Sequence, residues 1–280
     1  MRFVRFIHQG CPMLGLRADG GVRTLGPESL ESLLTGGEDL AAWVVARRAG
    51  GTLIDPETLR FLPPLQRPPK ILCVGLNYME HTDEVKLEQP AYPTIFTRFS
   101  TSLVGHETPI IRPRCSNALD YEGEMAVVLA RGGRHISKEQ ALEHVFGYAI
   151  FNDGSVRDYQ FRTPQWTMGK NFDATGGFGP DVVTADELPP GGRGLRLETR
   201  LNGQLVQSAS TDDMIFDVPT LISLMSEVLT LEPGDVIVSG TPAGIGWARE
   251  PRLLMKHGDV CEVSIAGLGT LVNPIIDEAA

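Results

Sequence analysis

The pattern of apolar and polar positions predicts a chain built mainly from short strands. Apolar or alternating runs recur along the sequence, and turns rich in glycine and proline separate them. Strands are predicted over 3–7, 71–75, 94–98, 123–130, 146–152, 195–201, 236–239 and 260–265. Helices are predicted over 29–49, 77–85, 137–144 and 217–229. The pattern therefore indicates a fold that is mostly sheet with a few helices.

A proline-rich segment divides the chain into two unequal parts. Residues 62–70 read L-P-P-L-Q-R-P-P-K, with four prolines in nine residues. Such a segment is typical of a semi-rigid linker or an extended strap. We therefore predict a small β-rich N-terminal domain over residues 1–66 and a larger domain over residues 67–280.

Composition and charge narrow the classes of partner. The 280 residues include 25 Lys and Arg against 35 Asp and Glu, a net charge of −10, which gives no broad positive field for nucleic acid or anionic lipid. The 42% hydrophobic content is too high for a disordered chain. The four cysteines form no C-x-x-C pair, and no apolar run approaches the length of a membrane span. We expect a cytoplasmic protein that binds neither nucleic acid nor membranes.

Three acidic residues at strand ends form a candidate metal site. In L-D-Y-E-G-E-M-A-V-V-L, residues 119–129, Glu122 and Glu124 share one face of a strand and would repel each other unless protonated or bridged by a cation. Asp153 follows a second apolar strand. Carboxylates without Cys or His at ligand spacing favour a hard cation such as Mg²⁺ or Mn²⁺. The spacing alone favours the simpler interpretation, a solvated face of an edge strand.

Five motifs, in order over residues 70–275, resemble the fumarylacetoacetate hydrolase family. They are V-G-L-N-Y at 74–78 with His81 and Glu84, L-D-Y-E-G-E at 119–124, F-N-D-G-S-V-R-D-Y-Q at 151–160, W-T-M-G-K-N-F-D at 166–173, and S-G-T-P-A-G at 239–244. The resemblance implies an α+β fold of layered mixed β-sheets, a catalytic domain over 67–280 and a homodimer.

The resemblance also implies roles for the candidate site residues. Glu122, Glu124 and Asp153 would hold Mg²⁺ or Mn²⁺, with Ca²⁺ as a further possibility. His81 and Glu84 would form a water-activating dyad, and Lys170 would lie beside the substrate oxyanion. The three substrate contacts would be Arg157, Gln160 and Thr241. From the residues alone, Arg157 could equally pair with Asp120 or Asp158.

The family's activities share an enolate that forms beside a carboxylate. Members split a C–C bond in acylpyruvates or β-diketo acids, decarboxylate oxaloacetate-like acids, or isomerise hydroxymuconate-type acids. The presence of both His81 and Glu84 favours hydrolysis of an acylpyruvate such as fumarylpyruvate, because attack by water needs a base. The alternatives are a decarboxylase or tautomerase of small 2-oxo acids and a non-catalytic homologue that binds a metal or metabolite.

Two motifs depart from the family pattern. Members often read F-x-K-P where this chain has F-T-R-F at 96–99, so that Arg98 replaces a lysine. We expect this change to alter the wall of the substrate pocket and, with it, the substrate. The acidic motif also departs, because Gly123 stands between the two acids where members have a bulkier apolar residue, and this change leaves the metal ligands intact.

Overall fold

A computed structural model describes residues 1–37, 39–79 and 91–279. Within these residues, nineteen strands form three sheets. The strands are β1 Arg2–His8, β2 Cys11–Ala18, β3 Gly21–Gly26, β4 Leu53–Ile54, β5 Arg60–Phe61, β6 Ile71–Gly75, β7 Thr94–Thr97, β8 Leu103–Val104, β9 Ile110–Arg112, β10 Leu119–Asp120, β11 Gly123–Leu129, β12 Val145–Asp153, β13 Ser155–Val156, β14 Gly176–Thr184, β15 Arg196–Leu201, β16 Gln204–Ser210, β17 Val236–Val238, β18 Val260–Ile265 and β19 Gly269–Asp277. The α-helices of the same residues are α1 Leu30–Thr35, α2 Leu40–Arg48, α3 Arg157–Gln160, α4 Thr167–Lys170 and α5 Val218–Val228.

The largest sheet forms the centre of the molecule. Its strand order is β4-β3-β2-β1-β14-β12-β11-β17-β6-β7, with β5 added to β1 and β8 to β14. Every residue of β11 and β14 is buried, as expected for strands covered on both faces. A second sheet, of order β16-β15-β18-β19-β9, packs on one face, where Met125, Ile150 and Val263 share a core cluster. The predicted α+β fold of layered mixed sheets is confirmed.

The first 66 residues extend the central sheet rather than forming a sheet of their own. Strand β1 runs antiparallel to β14, with Val4 opposite Asp181. The proline-rich segment carries no strand or helix, and its Leu65 is fully buried in a core cluster beneath the sheet. The domain boundary at residue 66 remains a prediction from the sequence.

The single helix predicted over 29–49 is wrong, because the chain forms two helices there. Helix α1 ends at Thr35, and Gly37 follows in the left-handed backbone region with φ of 70°. The Asp39 side chain then accepts hydrogen bonds from the first amides of α2.

The helix predicted over 137–144 is shorter in the structure, where only a 3₁₀ turn forms at Ala141–His144. No helix among the described residues is long and apolar enough to cross a membrane.

Candidate active site

The three predicted carboxylates meet at one end of the β11–β12 pair. The two strands are antiparallel with Gly123 opposite Asn152, so the acids on either side of them converge. One ligand oxygen from each of Glu122, Glu124 and Asp153 lies within 4.8 Å of the others. The three residues are 5%, 2% and 0% exposed, respectively. The alternative of a solvated strand face is therefore wrong, and the structure brings the predicted cluster together.

Two buried cations contact these carboxylates from the short helices α3 and α4. The Nζ atom of Lys170 lies 2.6 Å from Oε2 of Glu122 and 2.7 Å from Oδ2 of Asp153. The Nη1 atom of Arg157 lies 2.6 Å from Oε1 of Glu122, and its Nε lies 2.8 Å from Oδ2 of Asp120. Arg157 therefore pairs with Asp120, one of the two partners that the sequence left open, and also with a predicted metal ligand.

The net charge of the site favours binding of a cation. Among the described residues, four carboxylates and three cations form one buried network: Asp120, Glu122, Glu124 and Asp153 with Arg98, Arg157 and Lys170. When all are ionised, one net negative charge remains, and buried charge is costly unless it is compensated. The candidate metal ligands offer only carboxylate oxygens, which suit Mg²⁺ or Mn²⁺. A divalent ion would make the network net positive and favour binding of an anion.

Burial and neighbouring charge shift the pKa of two groups at the centre. Burial raises the pKa of Glu124 well above its ordinary value, and the charges of Asp153 and Glu122 raise it further. Burial lowers the pKa of Lys170, but the same two carboxylates more than offset this effect, so its net shift is upward. Lys170 is therefore an ammonium at neutral pH, whereas Glu124 holds a proton more readily than an ordinary carboxyl.

Metal binding should consequently become tighter as pH rises. A cation must displace the proton that the raised pKa of Glu124 retains, so apparent affinity should rise by up to about tenfold per pH unit below that pKa. A carboxyl with a raised folded-state pKa favours folding at low pH and opposes it as pH rises through that pKa, so the metal-free protein should lose stability there. Calorimetric Mg²⁺ titrations in buffers of different ionisation enthalpy would count the released proton; a pH-independent affinity would contradict this expectation.

The two short helices pack unusually closely, and this packing brings Lys170 to the carboxylates. A Cβ atom on Gly169 would lie 2.3 Å from the backbone nitrogen of Gln160. The carbonyl of Trp166 accepts hydrogen bonds from the amides of Gly169 and Lys170 at 3.0 and 3.2 Å. Position 169 must therefore be glycine for α4 to approach α3.

Gly169→Ala should lower kcat without unfolding the protein. The added methyl group would push α4 away from α3 and displace the ammonium of Lys170, and a displacement of about 1 Å can cost about 10²-fold in rate. Gly50→Ala is the matched control, because a Cβ atom there meets nothing within 4 Å. Steady-state kinetics with thermal melting would measure both effects, and equal kcat values for the two variants would contradict the packing role of Gly169.

A cleft of about 470 Å³, its open mouth included, leads from the surface to the charged centre. Lys170, Arg157, Gln160 and Thr241 line it together with two of the carboxylates, and apolar side chains form its other walls. The apolar lining consists of Val74, Leu76, Phe96, Phe161, Trp166 and Ile245. Such a combination of apolar walls with a few converging polar groups is typical of small-molecule sites.

The predicted substrate contacts differ in how many hydrogen bonds they already make. The Nη1 atom of Arg157 donates to Oε1 of Gln160 at 2.9 Å, while its Nη2 atom is buried without a hydrogen-bond partner among the described residues. The Thr241 hydroxyl donates to the carbonyl of Gly123 at 3.0 Å and accepts from Gln207 at 2.8 Å. Arg157 therefore has an N–H donor that no described residue of the protein engages.

The remaining predicted pair, His81 and Glu84, lies outside the described residues, as does most of the helix predicted over 77–85. Its role as a water-activating dyad stays a prediction.

Two residues that the sequence reasoning did not place in the site belong to its charge network. Asp120 accepts hydrogen bonds from Arg157 and from the amides of Gly246 and Trp247, which ties the loop after β17 to the site. Arg98 forms an ion pair with Asp153. The Arg98 side chain itself is fully buried and does not line the cleft, although Phe96 of the same motif does, and the effect of the motif on the substrate stays a prediction. The sequence did carry a signal for this role of Arg98 in the charge network, because the chain keeps a positive charge where the family has lysine.

Comparison with known proteins identifies the family. The family model described as "Fumarylacetoacetate (FAA) hydrolase C-terminal" matches residues 70–276, which is more than half of the chain. The chain belongs to the fumarylacetoacetate hydrolase family. It is 39% identical over 290 residues to a mitochondrial oxaloacetate tautomerase of Rattus norvegicus, covering 99% of this chain and 92% of the relative.

Solved structures of the same family share the whole fold. Fumarylacetoacetate hydrolase from Exiguobacterium antarcticum superposes with a TM-score of 0.86 at 36% identity, covering 99% of this chain and all of the other. Maleylpyruvate hydrolase from Sphingobium sp. SYK-6, in complex with manganese(II) and pyruvate, superposes with a TM-score of 0.84 at 25% identity, covering both chains completely. In this chain, Glu122, Glu124 and Asp153 form a cluster of carboxylates that could hold a metal ion.

Proposed function

We propose that this chain is a divalent-metal-dependent tautomerase that interconverts the keto and enol forms of a small 2-oxo acid of the oxaloacetate type. The observation that carries the proposal is the buried ammonium of Lys170, held 2.6 and 2.7 Å from two of the candidate metal ligands. The similarity over almost the whole chain to an oxaloacetate tautomerase supports this activity over the C–C bond hydrolysis that the sequence favoured.

Lys170 has the donor that enolisation requires. When a water molecule takes a proton from C3 of a 2-oxo acid, negative charge is left on the C2 oxygen, and a proton returned to that oxygen completes the enol. An ammonium offers three N–H bonds, and Glu122 and Asp153 accept two of them. The third can donate to the developing oxyanion, the kind of contact that lowers the barrier most. Mg²⁺ or Mn²⁺ held by Glu122, Glu124 and Asp153 would supply Lewis-acid stabilisation of the same charge.

Arg157 is positioned to hold the substrate carboxylate. Its Nε and Nη1 atoms are engaged by Asp120, Glu122 and Gln160, and its Nη2 atom is buried in the cleft wall without a partner among the described residues. An unsatisfied buried donor is costly, and a carboxylate oxygen would satisfy it. The substrate carboxylate would then lie beside Lys170, with the C2 carbonyl facing the ammonium.

Product analysis on a panel of acids tests the proposal. The protein loaded with Mg²⁺ or Mn²⁺ would be offered oxaloacetate and fumarylpyruvate, and the products separated by mass. We expect the protein to speed the approach of oxaloacetate to its keto–enol equilibrium, followed by the ultraviolet absorbance of the enol, with no change in mass. Rapid release of carbon dioxide would identify a decarboxylase, two carbon fragments a hydrolase, and metal binding without turnover a non-catalytic homologue; each of these would contradict the tautomerase.

Hydrolysis of an acylpyruvate remains the second candidate, supported by the similarity to maleylpyruvate hydrolase. His81→Asn separates the two candidates within one protein. If the family's dyad activates water here, the variant should lose about 10² to 10⁴ in the rate of acylpyruvate cleavage, the usual contribution of a general base, and keep its rate of tautomerisation. Equal cleavage rates in the wild type and the variant would exclude the dyad as the base.

The proposal includes a homodimer, which rests on the family resemblance, and a cytoplasmic location, which rests on composition. Sedimentation equilibrium should give twice the mass of the chain at micromolar concentration. A monomer mass under the conditions in which the enzyme is active would contradict the dimer. The location would be tested by fractionating cells that express the full chain.

A further inference from the structure

Apart from the contacts of Lys170 with Glu122 Oε2 and Asp153 Oδ2, each carboxylate of the candidate metal centre has one oxygen held by a donor of the protein itself. The three contacts are Arg98 Nη1 with Asp153 Oδ1, Arg157 Nη1 with Glu122 Oε1 at 2.6 Å, and the Gly240 amide with Glu124 Oε2 at 2.5 Å. The cluster of oxygens within 4.8 Å needs only one oxygen from each residue. Arg98 and Arg157 thus leave to a cation the oxygens of Asp153 and Glu122 that Lys170 contacts, and the ion would share those oxygens with the ammonium.

Arg98 is held in place by several acceptors besides Asp153. Its Nη1 also donates to the carbonyl of Gly154 at 3.1 Å, its Nη2 to the Thr175 hydroxyl at 2.9 Å, and its Nε to the Ser102 hydroxyl at 3.2 Å. The guanidinium lies against β14, where a Cβ atom on Gly176 would be only 2.8 Å from Nη2. Its side chain is fully buried and does not line the cleft. Arg98 can therefore act on the site only through Asp153.

We propose that Arg98 is a positioning residue that restricts Asp153 to coordination through one oxygen and thereby favours Mg²⁺ or Mn²⁺ over Ca²⁺. Ca²⁺ takes about six to eight oxygen ligands and readily uses both oxygens of a carboxylate, whereas Mg²⁺ requires octahedral geometry. A carboxylate oxygen engaged by a charge-assisted hydrogen bond from a rigid guanidinium is not available for chelation in the plane of the carboxylate. The inference rests on the metal centre of the proposed function and not on its substrate.

The other two carboxylates extend the same restriction. Glu122 has its two oxygens engaged by different cations, Arg157 and Lys170, and Glu124 has one oxygen on a backbone amide that no side-chain motion can withdraw. One oxygen from each carboxylate would give a bound ion three ligands from the protein, and substrate and water would supply the others. A Ca²⁺ ion in this site would be short of ligands.

The test compares metal selectivity in Arg98→Met and in a matched control. Calorimetric titration of the metal-free proteins with MgCl₂, MnCl₂ and CaCl₂ gives the three affinities without any activity measurement. Loss of a positive charge strengthens binding of each divalent ion alike, so the informative quantity is the ratio of Ca²⁺ to Mg²⁺ affinity. We expect that ratio to rise by about tenfold or more in Arg98→Met, the scale of outer-contact effects on metal sites.

Arg17→Met is the control, since Arg17 also pairs with a buried aspartate, Asp181, but away from the cleft. Its selectivity should equal that of the wild type. If Arg98→Met does not fold, the double variant Ser102→Ala/Thr175→Val retains the guanidinium but removes two of its acceptors, and the ratio should shift in the same direction.

Two results would overturn the inference, and they are distinguishable. An unchanged ratio in the folded variant, with metal still bound, would remove the positioning role of Arg98 and leave the proposed function intact. Failure of the wild-type protein to bind any of the three ions would instead overturn the metal centre and the proposed function with it. A crystal structure of Arg98→Met with Ca²⁺ should show both oxygens of Asp153 on the ion.

Discussion

Lys170→Met should lower kcat for tautomerisation by about 10²-fold or more, the scale of losing one oxyanion donor, while the protein still binds Mg²⁺. Methionine keeps the length and apolar body of the side chain but removes the ammonium that contacts Glu122 and Asp153. The two carboxylates then lose a competing positive charge, so Mg²⁺ affinity should stay the same or increase. The loss of rate would therefore come from the missing donor and not from a missing metal.

The matched control for this variant is Lys70→Met. Lys70 also contacts two acidic residues, Glu232 and Asp235, but lies outside the cleft. Its replacement should leave kcat unchanged. Kinetics at saturating Mg²⁺, with calorimetry for metal affinity, would separate chemistry from binding, and a wild-type kcat in Lys170→Met would remove Lys170 from the mechanism.

Glu124→Gln should have opposite effects on metal binding and on the stability of the metal-free protein. The amide has nearly the shape of the carboxylate but cannot supply its charge, so we expect Mg²⁺ affinity to fall by about 10²-fold or more and activity to be lost. In the metal-free protein, burial raises the pKa of Glu124, and repulsion by Asp153 and Glu122 raises it further. Removing that repulsion should leave the melting temperature of the metal-free variant equal to or above that of the wild type at neutral pH.

Thermal melting with and without Mg²⁺ tests both halves of this expectation. The wild type should gain stability with added Mg²⁺ by mass action, and Glu124→Gln should gain little. Glu139→Gln, at an exposed position, is the control and should behave like the wild type. A variant that binds Mg²⁺ normally would contradict the participation of Glu124 in the centre.

Strand alternation made the carboxylate cluster predictable from the sequence, although spacing alone could not separate it from a solvated strand face. Side chains two apart share a face of a strand, so Glu122 and Glu124 were expected on one side, and the apolar run before Asp153 put it at a strand end. In the structure Glu122 directly precedes β11, Glu124 lies in it, and antiparallel pairing with β12 brings the three acids together. Local periodicity and one strand pairing thus determine the cluster, and its role as a metal centre stays a prediction.

The contacts that tune the centre could not be predicted, because they depend on packing between distant segments. Arg98 meets Asp153 across 55 positions of sequence, and Asp120 meets the amide of Gly246 across 126. No periodicity links such pairs, so Arg98 was expected in the pocket wall instead. The choice among family activities likewise depends on which side chains surround the substrate, and motifs common to hydrolases and tautomerases do not distinguish them.

Exchange of solvent deuterium into C3 of oxaloacetate, followed by NMR in D₂O, tests the central claim most directly. Enolisation by the protein must exchange the C3 hydrogens, whereas binding alone does not. Free Mg²⁺ and the protein in excess chelator are the two controls. We expect the Mg²⁺-loaded protein to accelerate exchange well beyond both controls, with the mass of the carbon skeleton unchanged and with the acceleration lost in Lys170→Met. Exchange no faster than with free Mg²⁺ alone, in a protein shown by calorimetry to hold the metal, would contradict the proposed tautomerase.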